Sequence, residues 1–300
     1  MGLLHGHDLQ VSICAQTKNS IRNEDNTISS TLRAPEPLRL AASSYLNTAP
    51  LIWSFLHGSR CGQVDLVEAV PARCAELLAN ADVEAALVPV IEYQRISDIS
   101  LVPDVCVGSK KQVRSVVLVS RNDDLKNIHR VALDESSRTS AALVKIIFRE
   151  FLGFEPLWTT RSPNLQLMLE ENDTALIIGD PAMTFPRDGL TVWDMASLWR
   201  EHTGLGFVFA MWMVRDEAAD KSARVDFAGA RNEGLARREE IVDHYQPILG
   251  LPRNTLEQYL KENICFYLDE DMRAGLDLYF RLAHKHRLLE TLKPLKTIGP

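Results

Sequence analysis

The chain of 300 residues lacks the short motifs by which common cofactor and metal sites are recognised. It has no GxGxxG, GxxxxGK, HExxH, GxSxG or DxDxDG, which removes support for dinucleotide, nucleoside triphosphate, zinc-protease, α/β-hydrolase and EF-hand sites. Its five cysteines show neither paired spacing nor a neighbouring histidine pattern, so zinc and redox motifs are unsupported as well. We therefore expect a site that uses neither a metal nor a cofactor.

Positive charge and long apolar runs are also scarce. Lys and Arg number 33 against 40 Asp and Glu, which gives a net charge of −7 and argues against a nucleic-acid partner. The sequence has no basic N-terminal region followed by an apolar stretch, and no apolar run approaches the roughly 18 residues of a membrane span. We therefore expect no membrane association and a cytoplasmic location.

The order of the apolar runs predicts an α/β fold with two lobes. Residues 1–37 are polar and predict a flexible N-terminal extension. From Leu38 onward, short strands alternate with helices, which favours largely parallel pairing. We predict that residues 38–120 and 210–300 form lobe 1 with C-terminal helices, and that residues 121–209 form lobe 2. Such a fold binds its ligand in a cleft at the strand ends.

The strand Val131–Asp134 opens into the hydroxyl-rich run SSRTS, residues 136–140. Ser136 or Ser137 can cap the helix that follows, and the N–H groups of its first turn then face whatever lies beyond the strand end. This pattern indicates a site for a small carboxylate. In the simpler alternative, the hydroxyls only cap their own helix.

Two other predicted strand regions carry polar candidates. Ser44, Tyr45 and Asn47 follow the first strand, and the Asn47 amide offers both a donor and an acceptor. Asn47 can instead cap the helix that starts near Pro50. Ser115 lies inside a valine-rich strand, where a bond to nearby backbone is at least as good an interpretation as ligand contact.

The second half of the chain adds four further candidates. Gly179 and Asp180 follow the strand at residues 175–178. They either let a ligand approach the backbone closely or form a turn. His202 is a possible general base, although no orienting partner is evident in the sequence. Phe207 belongs to a strand rich in aromatic residues, and its ring either lines the ligand site or packs in the core.

Together, these segments resemble chorismate dehydratase, the first enzyme of the futalosine route to menaquinone. The resemblance covers residues 38–290 and includes a C-terminal segment at residues 267–280. Its most specific part is the SSRTS run. The matching segments are SYLNTAPL at residues 44–51, ALVPVIEY at 86–93, DESSRTS at 134–140, IGD at 178–180 and TGLGFVFAMW at 203–212.

The resemblance implies a fold similar to the two-lobed type II periplasmic-binding proteins, with the ligand between the lobes. It further implies a carbon–oxygen lyase that converts chorismate to 3-[(1-carboxyvinyl)oxy]benzoate and water by a cofactor-free elimination. Two positions depart from the family pattern as we expect it. Val90 stands where serine is favoured, and Gly206 stands where proline is common.

With this substrate, the residues acquire expected roles. We expect the SSRTS segment to hold one substrate carboxylate, and Asn47, Ser137 and Arg138 to be catalytic. A substrate carboxylate can act as the base, with His202 and Asp180 as protein alternatives. The expected substrate-binding residues are Ser44, Tyr45, Ser115, Ser136, Thr139, Ser140, Gly179, Asp180 and Phe207.

Two other functions stay open at this point. The chain could be a non-catalytic binding module for an aromatic or shikimate-derived carboxylate, because a fold alone does not establish turnover. It could also be the related 1,4-dihydroxy-6-naphthoate synthase, although the motifs of that enzyme differ. In each case the expected partner is a small molecule, and the sequence does not predict an oligomeric state.

Overall fold

The computed structural model describes residues 36–299, so the extension predicted over residues 1–37 lies almost wholly outside the described residues. Within that range the strands, in chain order, are β1 Leu38–Ala42, β2 Val64–Glu68, β3 Ala85–Pro89, β4 Ile99–Ser109, β5 Val116–Ser120, β6 Arg130–Asp134, β7 Leu157–Arg161, β8 Thr174–Ile178, β9 Thr191–Asp194 and β10 Phe207–Arg215. The α-helices are α1 Ala49–His57, α2 Pro71–Ala79, α3 Thr139–Ile146, α4 Leu165–Glu171, α5 Pro181–Thr184, α6 Met195–Thr203, α7 Ala219–Ser222, α8 Phe227–Ala236, α9 Arg238–Leu249, α10 Arg253–Gln258 and α11 Glu270–Lys285. Two π-helical turns, Ile147–Leu152 and Tyr259–Asn263, extend α3 and α10. Three 3₁₀ turns lie at Val90–Gln94, Leu125–Asn127 and Asp216–Ala218.

The strands form two five-stranded sheets, one in each lobe. The first has the order β2-β1-β3-β10-β4 and the second the order β7-β6-β8-β5-β9. In each sheet three strands pair in parallel, whereas the strand that has crossed from the other lobe, β10 or β5, is antiparallel to its neighbours. The predicted two-lobed α/β fold is therefore confirmed, and the pairing is mixed rather than largely parallel.

The chain crosses between the lobes earlier than the sequence predicts. The predicted boundary places β5 in lobe 1, but this strand pairs with β8 and β9 in the second sheet. The reason lies in Asp194 of lobe 2, whose carboxylate accepts hydrogen bonds from the backbone nitrogens of Val113 at 3.1 Å and Arg114 at 2.6 Å. These bonds fix the chain to lobe 2 before β5 begins. The return crossing comes just before Phe207, since all of β10 lies in the first sheet.

Helix α11 packs unusually close to the start of β10. A Cβ atom at Gly275 would lie 2.0 Å from the carbonyl oxygen of Gly206, so only glycine permits this approach. The backbone nitrogen of Gly206 donates to Asp271 Oδ2 at 3.0 Å. Proline has no N–H to make this bond, which gives the departure at position 206 a structural role in this chain.

The lobes are joined by continuous apolar packing. A single buried cluster contains side chains from both sheets and from the C-terminal helices, for example Leu40, Leu176 and Leu276. Trp199 and Tyr279 pack edge-on against Phe207, with ring centroids 5.3 Å and 5.1 Å from it. No helix within residues 36–299 has the length and apolar character that crossing a bilayer requires.

Candidate functional site

A cleft lies between the lobes where the ends of β1 and β3 meet the ends of β6 and β8. Eight predicted site residues line it: Tyr45, Asn47, Ser136, Ser137, Arg138, Thr139, Ser140 and Gly179. Lining residues that the sequence analysis did not single out are Ser43, Thr48, Pro71, Leu87, Pro89, Val107, Val116, Ile178, Phe209 and Ala210. The cleft thus combines a hydroxyl-rich end with an apolar wall.

Both donors of Ser136 are used within its own turn. Asp134 Oδ1 accepts from the Ser136 backbone nitrogen at 2.8 Å and from Ser136 Oγ at 2.6 Å. A hydroxyl has one hydrogen, so Ser136 presents lone pairs rather than a donor to the cleft. Asp134 is 1% exposed, and burial raises the pKa of its carboxyl group. Ser136 therefore shapes the turn, and its position does not support direct donation to a substrate carboxylate.

Ser137 differs from its neighbour. Its side chain is 7% exposed, and its Oγ has no hydrogen-bond partner among the described residues. Helix α3 begins after Arg138, and no side chain caps its first turn, so the capping alternative for the two serines is not observed. A buried hydroxyl without a partner is unfavourable by about 1–3 kcal/mol, which a ligand acceptor would relieve. Together with the open N–H groups of α3, Ser137 offers donors for an anion.

Arg138 lines the cleft but is already paired with lobe 1. Its Nη1 lies 3.1 Å from Glu92 Oε2, and its Nη2 lies 3.2 Å from Glu76 Oε1. Glu92 is 3% exposed and also binds Arg95 at 2.8 Å. The Arg138 charge is thus engaged in a contact between the lobes, and its predicted catalytic role stays a prediction.

Tyr45 and Asp180 form a second contact between the lobes. Gly179 has a φ of +69°, and a Cβ atom there would lie 2.6 Å from the Tyr45 ring. Asp180 Oδ1 accepts from the backbone nitrogen of Leu46 at 3.0 Å. Burial raises the pKa of Asp180 to about 6. Asp180 is absent from the cleft lining, and its carboxylate is bonded to lobe 1 backbone, so its contact with substrate stays a prediction.

The Asn47 amide faces the cleft and does not cap a helix. Helix α1 begins after Thr48, and no side chain caps it. Asn47 Oδ1 accepts from Thr48 Oγ1 at 3.3 Å, and Thr48 Oγ1 shares a hydrogen bond of 2.8 Å with Ser43. The Thr48 hydroxyl therefore holds the amide oxygen of Asn47. The remaining donor and acceptor positions of the amide are available for other partners.

The other expected contacts lie outside the cleft lining. The Ser44 side chain is exposed, and its carbonyl oxygen accepts from the Tyr245 hydroxyl at 2.7 Å. Ser115 is 0% exposed, and its Oγ lies 2.6 Å from the Tyr259 hydroxyl. Phe207 packs in the aromatic core, where its ring contacts that of Phe209, and Phe209 is the one of the two that lines the cleft.

His202 does not reach the cleft either. Its ring is exposed at the end of α6 and stacks on Phe151, with centroids 4.5 Å apart. In the described part of the chain, no group of three or more His, Cys, Asp or Glu residues is placed to hold a metal ion. Among the charged or titratable lining residues, Arg138 is paired, and burial raises the pKa of Tyr45 to about 12.

Apolar lining residues are not identifiable from the sequence. Leu87, Val116 and Ile178 belong to strands whose residues are all buried, and Val107 lies in the buried second half of β4. A strand of this kind shows no alternation that separates a cleft-facing side chain from a core side chain. Which of them faces the ligand depends on how the two sheets meet.

Comparisons with known proteins agree on one family and one fold. A family described as menaquinone biosynthesis matches residues 38–285. The chorismate dehydratase of Thermus thermophilus is 34% identical over 262 residues, which covers 81% of this chain and 94% of that protein. Two solved structures share the fold at low identity. A protein of Archaeoglobus fulgidus has a TM-score of 0.68 at 19% identity, covering 84% of this chain and 98% of that one. The periplasmic aliphatic sulphonate binding protein of Escherichia coli has a TM-score of 0.58 at 18% identity, covering 89% and 95%.

Proposed function

The chain belongs to the chorismate dehydratase family of menaquinone biosynthesis, and we propose that it converts chorismate to 3-[(1-carboxyvinyl)oxy]benzoate and water without a cofactor. The observation that best supports this proposal is the unpartnered Ser137 hydroxyl, buried at the start of α3 in a cleft with an apolar wall. This arrangement suits a ring that bears a carboxylate. Donors would lie at one end of the ring, and apolar side chains would line the rest of the cleft.

The reaction needs such donors because of where its negative charge develops. The elimination removes the C4 hydroxyl and the C3 hydrogen, and the product ring is aromatic, so the overall step is strongly downhill. The barrier lies in deprotonation. The C3 hydrogen is vinylogous to the ring carboxylate, so charge spreads toward that group as the proton leaves. Ser137 Oγ and the N–H groups of the first turn of α3 would stabilise it there, as preorganised donors do in oxyanion holes.

The lining residues favour a substrate carboxylate as the base. Tyr45 keeps its proton at neutral pH because its pKa is raised to about 12. The Arg138 guanidinium is cationic and paired, and neither Asp180 nor His202 lines the cleft. Among the described lining residues, none therefore offers a free basic group near pH 7. The second carboxylate of chorismate, on its enolpyruvyl side chain, can take this role if the protein orients it. Asn47 lines the cleft, and in this proposal it positions that carboxylate or the leaving hydroxyl.

Contact between the lobes would keep the reacting atoms dry. The backbone nitrogen of Ile91 in lobe 1 donates to Thr139 Oγ1 in lobe 2 at 3.2 Å, beside the Arg138 and Glu92 pair. With the lobes in contact, the apolar side chains of Leu87, Ile178 and Phe209 line the cleft and would surround a bound ring. In such a dry site, each oriented donor has a larger effect than it has in water.

The experiment is to incubate the purified full chain with chorismate, after treatment with a chelator and without nucleotide, and to follow the mixture by mass spectrometry and proton NMR. We expect loss of one water and new signals of a meta-substituted aromatic ring. Chorismate that stays intact while it raises the melting temperature would contradict turnover and favour the binding-module alternative. The 34% identity to a chorismate dehydratase over 94% of that protein favours this activity over the naphthoate synthase.

A further inference from the structure

Asp134 is a buried aspartate at the end of β6, directly before the turn that leads to α3. It is 1% exposed and does not belong to the cleft lining. Its Oδ1 atom accepts two hydrogen bonds from Ser136, one from the backbone nitrogen at 2.8 Å and one from Oγ at 2.6 Å. Its carbonyl oxygen accepts a third, from the backbone nitrogen of Ser137 at 3.0 Å. One residue behind the cleft therefore holds both serines that line it.

These three hydrogen bonds determine the course of the backbone from β6 to Ser137. A carboxyl oxygen that accepts from the nitrogen two residues later, and a carbonyl oxygen that accepts from the nitrogen three residues later, close a tight turn. Ser137 stands at the end of this turn, two residues before Thr139 opens α3. The Ser137 Oγ atom has no hydrogen-bond partner among the described residues. The position of the hydroxyl is therefore set by the backbone of the turn rather than by a hydrogen bond of its own.

The first turn of α3 is held by a different set of contacts. The Tyr279 hydroxyl, on α11, donates to the carbonyl oxygen of Thr139 at 3.0 Å. The backbone nitrogen of Ile91 donates to Thr139 Oγ1 at 3.2 Å. Neither hydrogen bond involves Asp134. Loss of the Asp134 carboxyl group would therefore shift the two serines of the turn and leave the open N–H groups of α3 in place.

The structure uses Asp134 as a hydrogen-bond acceptor through one of its two carboxyl oxygens. The other, Oδ2, is buried and has no hydrogen-bond partner among the described residues. Burial also raises the pKa of the carboxyl group. The bonds to Ser136 need an acceptor oxygen, and the amide oxygen of an asparagine could supply it as well. The role of this side chain in the turn is thus separable from its charge.

We propose that Asp134 is a positioning residue that fixes the Ser137 hydroxyl in the cleft for the dehydration. This inference rests on the proposed function, since it concerns a donor of the same site. Asp134 acts through the turn and does not contact the substrate. Because a misplacement of about 1 Å can cost roughly 100-fold in rate, we expect Asp134→Ala to lower kcat by between about 10-fold and 100-fold. KM should change little, since the N–H groups of α3 stay in place to bind the carboxylate.

Two further variants separate this role from a loss of stability alone. Asp134→Asn should keep kcat close to that of the wild type, because the amide oxygen can accept both bonds from Ser136. Asp173 is a matched control at the opposite end of β6, outside the cleft lining, where its Oδ2 accepts from the backbone nitrogens of His129 and Arg130, both at 2.8 Å. Asp173→Ala should lower the melting temperature and leave kcat unchanged. A loss of kcat in either variant as large as that in Asp134→Ala would overturn the inference.

Ser136→Ala provides a second variant in case Asp134→Ala does not fold. It removes one of the two bonds to Asp134 Oδ1 and keeps the bond from the backbone nitrogen. We expect a loss of kcat that is smaller than in Asp134→Ala and that disappears in the Ser137→Ala background. An unchanged kcat in Ser136→Ala, or a loss that persists in that background, would overturn the inference.

The decisive experiment is a double-mutant cycle on kcat with Asp134→Ala and Ser137→Ala. If Asp134 acts through Ser137, Asp134→Ala should cause no further loss in the Ser137→Ala background. An equal loss in both backgrounds would overturn the inference. Normal kcat in Asp134→Ala, alongside impaired Ser137→Ala, would overturn it while leaving the proposed function intact. Failure of the wild-type chain to dehydrate chorismate would instead overturn the proposed function.

Discussion

The carboxylate of Asp180, in lobe 2, accepts a hydrogen bond from the backbone nitrogen of Leu46, in lobe 1, at 3.0 Å. This bond lies directly beside the contact between Tyr45 and Gly179. Burial of the carboxylate raises its pKa to about 6, well above the usual range of an aspartate. Ionisation of the Asp180 carboxyl group is therefore unfavourable while the two lobes are in contact.

Replacing Asp180 with Asn should stabilise the protein at high pH. The folded-state pKa lies above the unfolded value, so wild-type stability falls as the pH rises from about 4 to about 6. The amide of the variant would keep an acceptor for Leu46 without the charge. We expect Asp180→Asn to raise the free energy of unfolding by up to about 3 kcal/mol above pH 7, with the gain fading toward pH 4. Denaturant titrations of both proteins at several pH values measure this, and a gain independent of pH would contradict it.

The pair of Arg138 and Glu92 allows a test of whether Arg138 joins the lobes or binds the substrate. Loss of roughly 1 kcal/mol of attraction between the lobes should raise KM about fivefold. If Arg138 joins the lobes, Glu92→Gln and Arg138→Ala should raise KM to a similar extent, and the double variant should add little.

The opposite role for Arg138 predicts a different pattern. If Arg138 binds a substrate carboxylate, Glu92→Gln would free the guanidinium, and KM would fall or stay constant. Arg95→Ala is the control, because Arg95 binds the same Glu92 from within lobe 1. Steady-state kinetics of these variants should show little change of KM in Arg95→Ala.

Gly179→Ala should lower kcat/KM in addition to straining the backbone. The new methyl group would approach the Tyr45 ring to 2.6 Å, and the φ of +69° adds about 1–2 kcal/mol of strain. Gly189 has the same φ of +69°, but no atom lies within 4 Å of the position that a Cβ atom would take there. Both variants should lose stability, whereas only Gly179→Ala should lose kcat/KM. Equal kcat/KM in the two variants would contradict a role for the Tyr45 contact.

The strands are predictable wherever apolar runs are clear. The apolar run at residues 38–42 predicts a strand, which is β1, and Pro71 suits the first position of a predicted helix, which is α2. Strand β7, Leu157–Arg161, is not predicted, because it is an edge strand whose side chains are half-buried or exposed, with Leu157 at 69%. Its backbone pairing with β6 forms it rather than any apolar pattern of its own.

Only those residues of the site that are adjacent in the sequence are predictable. The SSRTS turn is evident because its hydroxyls and its strand are adjacent in the sequence. The pairing of Arg138 with Glu92 and the bond from Tyr259 to Ser115 join residues 46 and 144 positions apart. Such contacts depend on how the lobes meet. No periodicity of the sequence specifies them.

We propose that chorismate loses water in this cleft, with Ser137 among the donors that stabilise the developing charge. The most direct measurement is the rate of product formation from chorismate by the wild-type chain and by Ser137→Ala, followed by NMR in parallel. We predict turnover by the wild type and a loss of about 10²–10³ in rate for the variant, at an unchanged melting temperature or a higher one. Equal rates in the two proteins would contradict this role of Ser137, and no product from the wild type would contradict the dehydration itself.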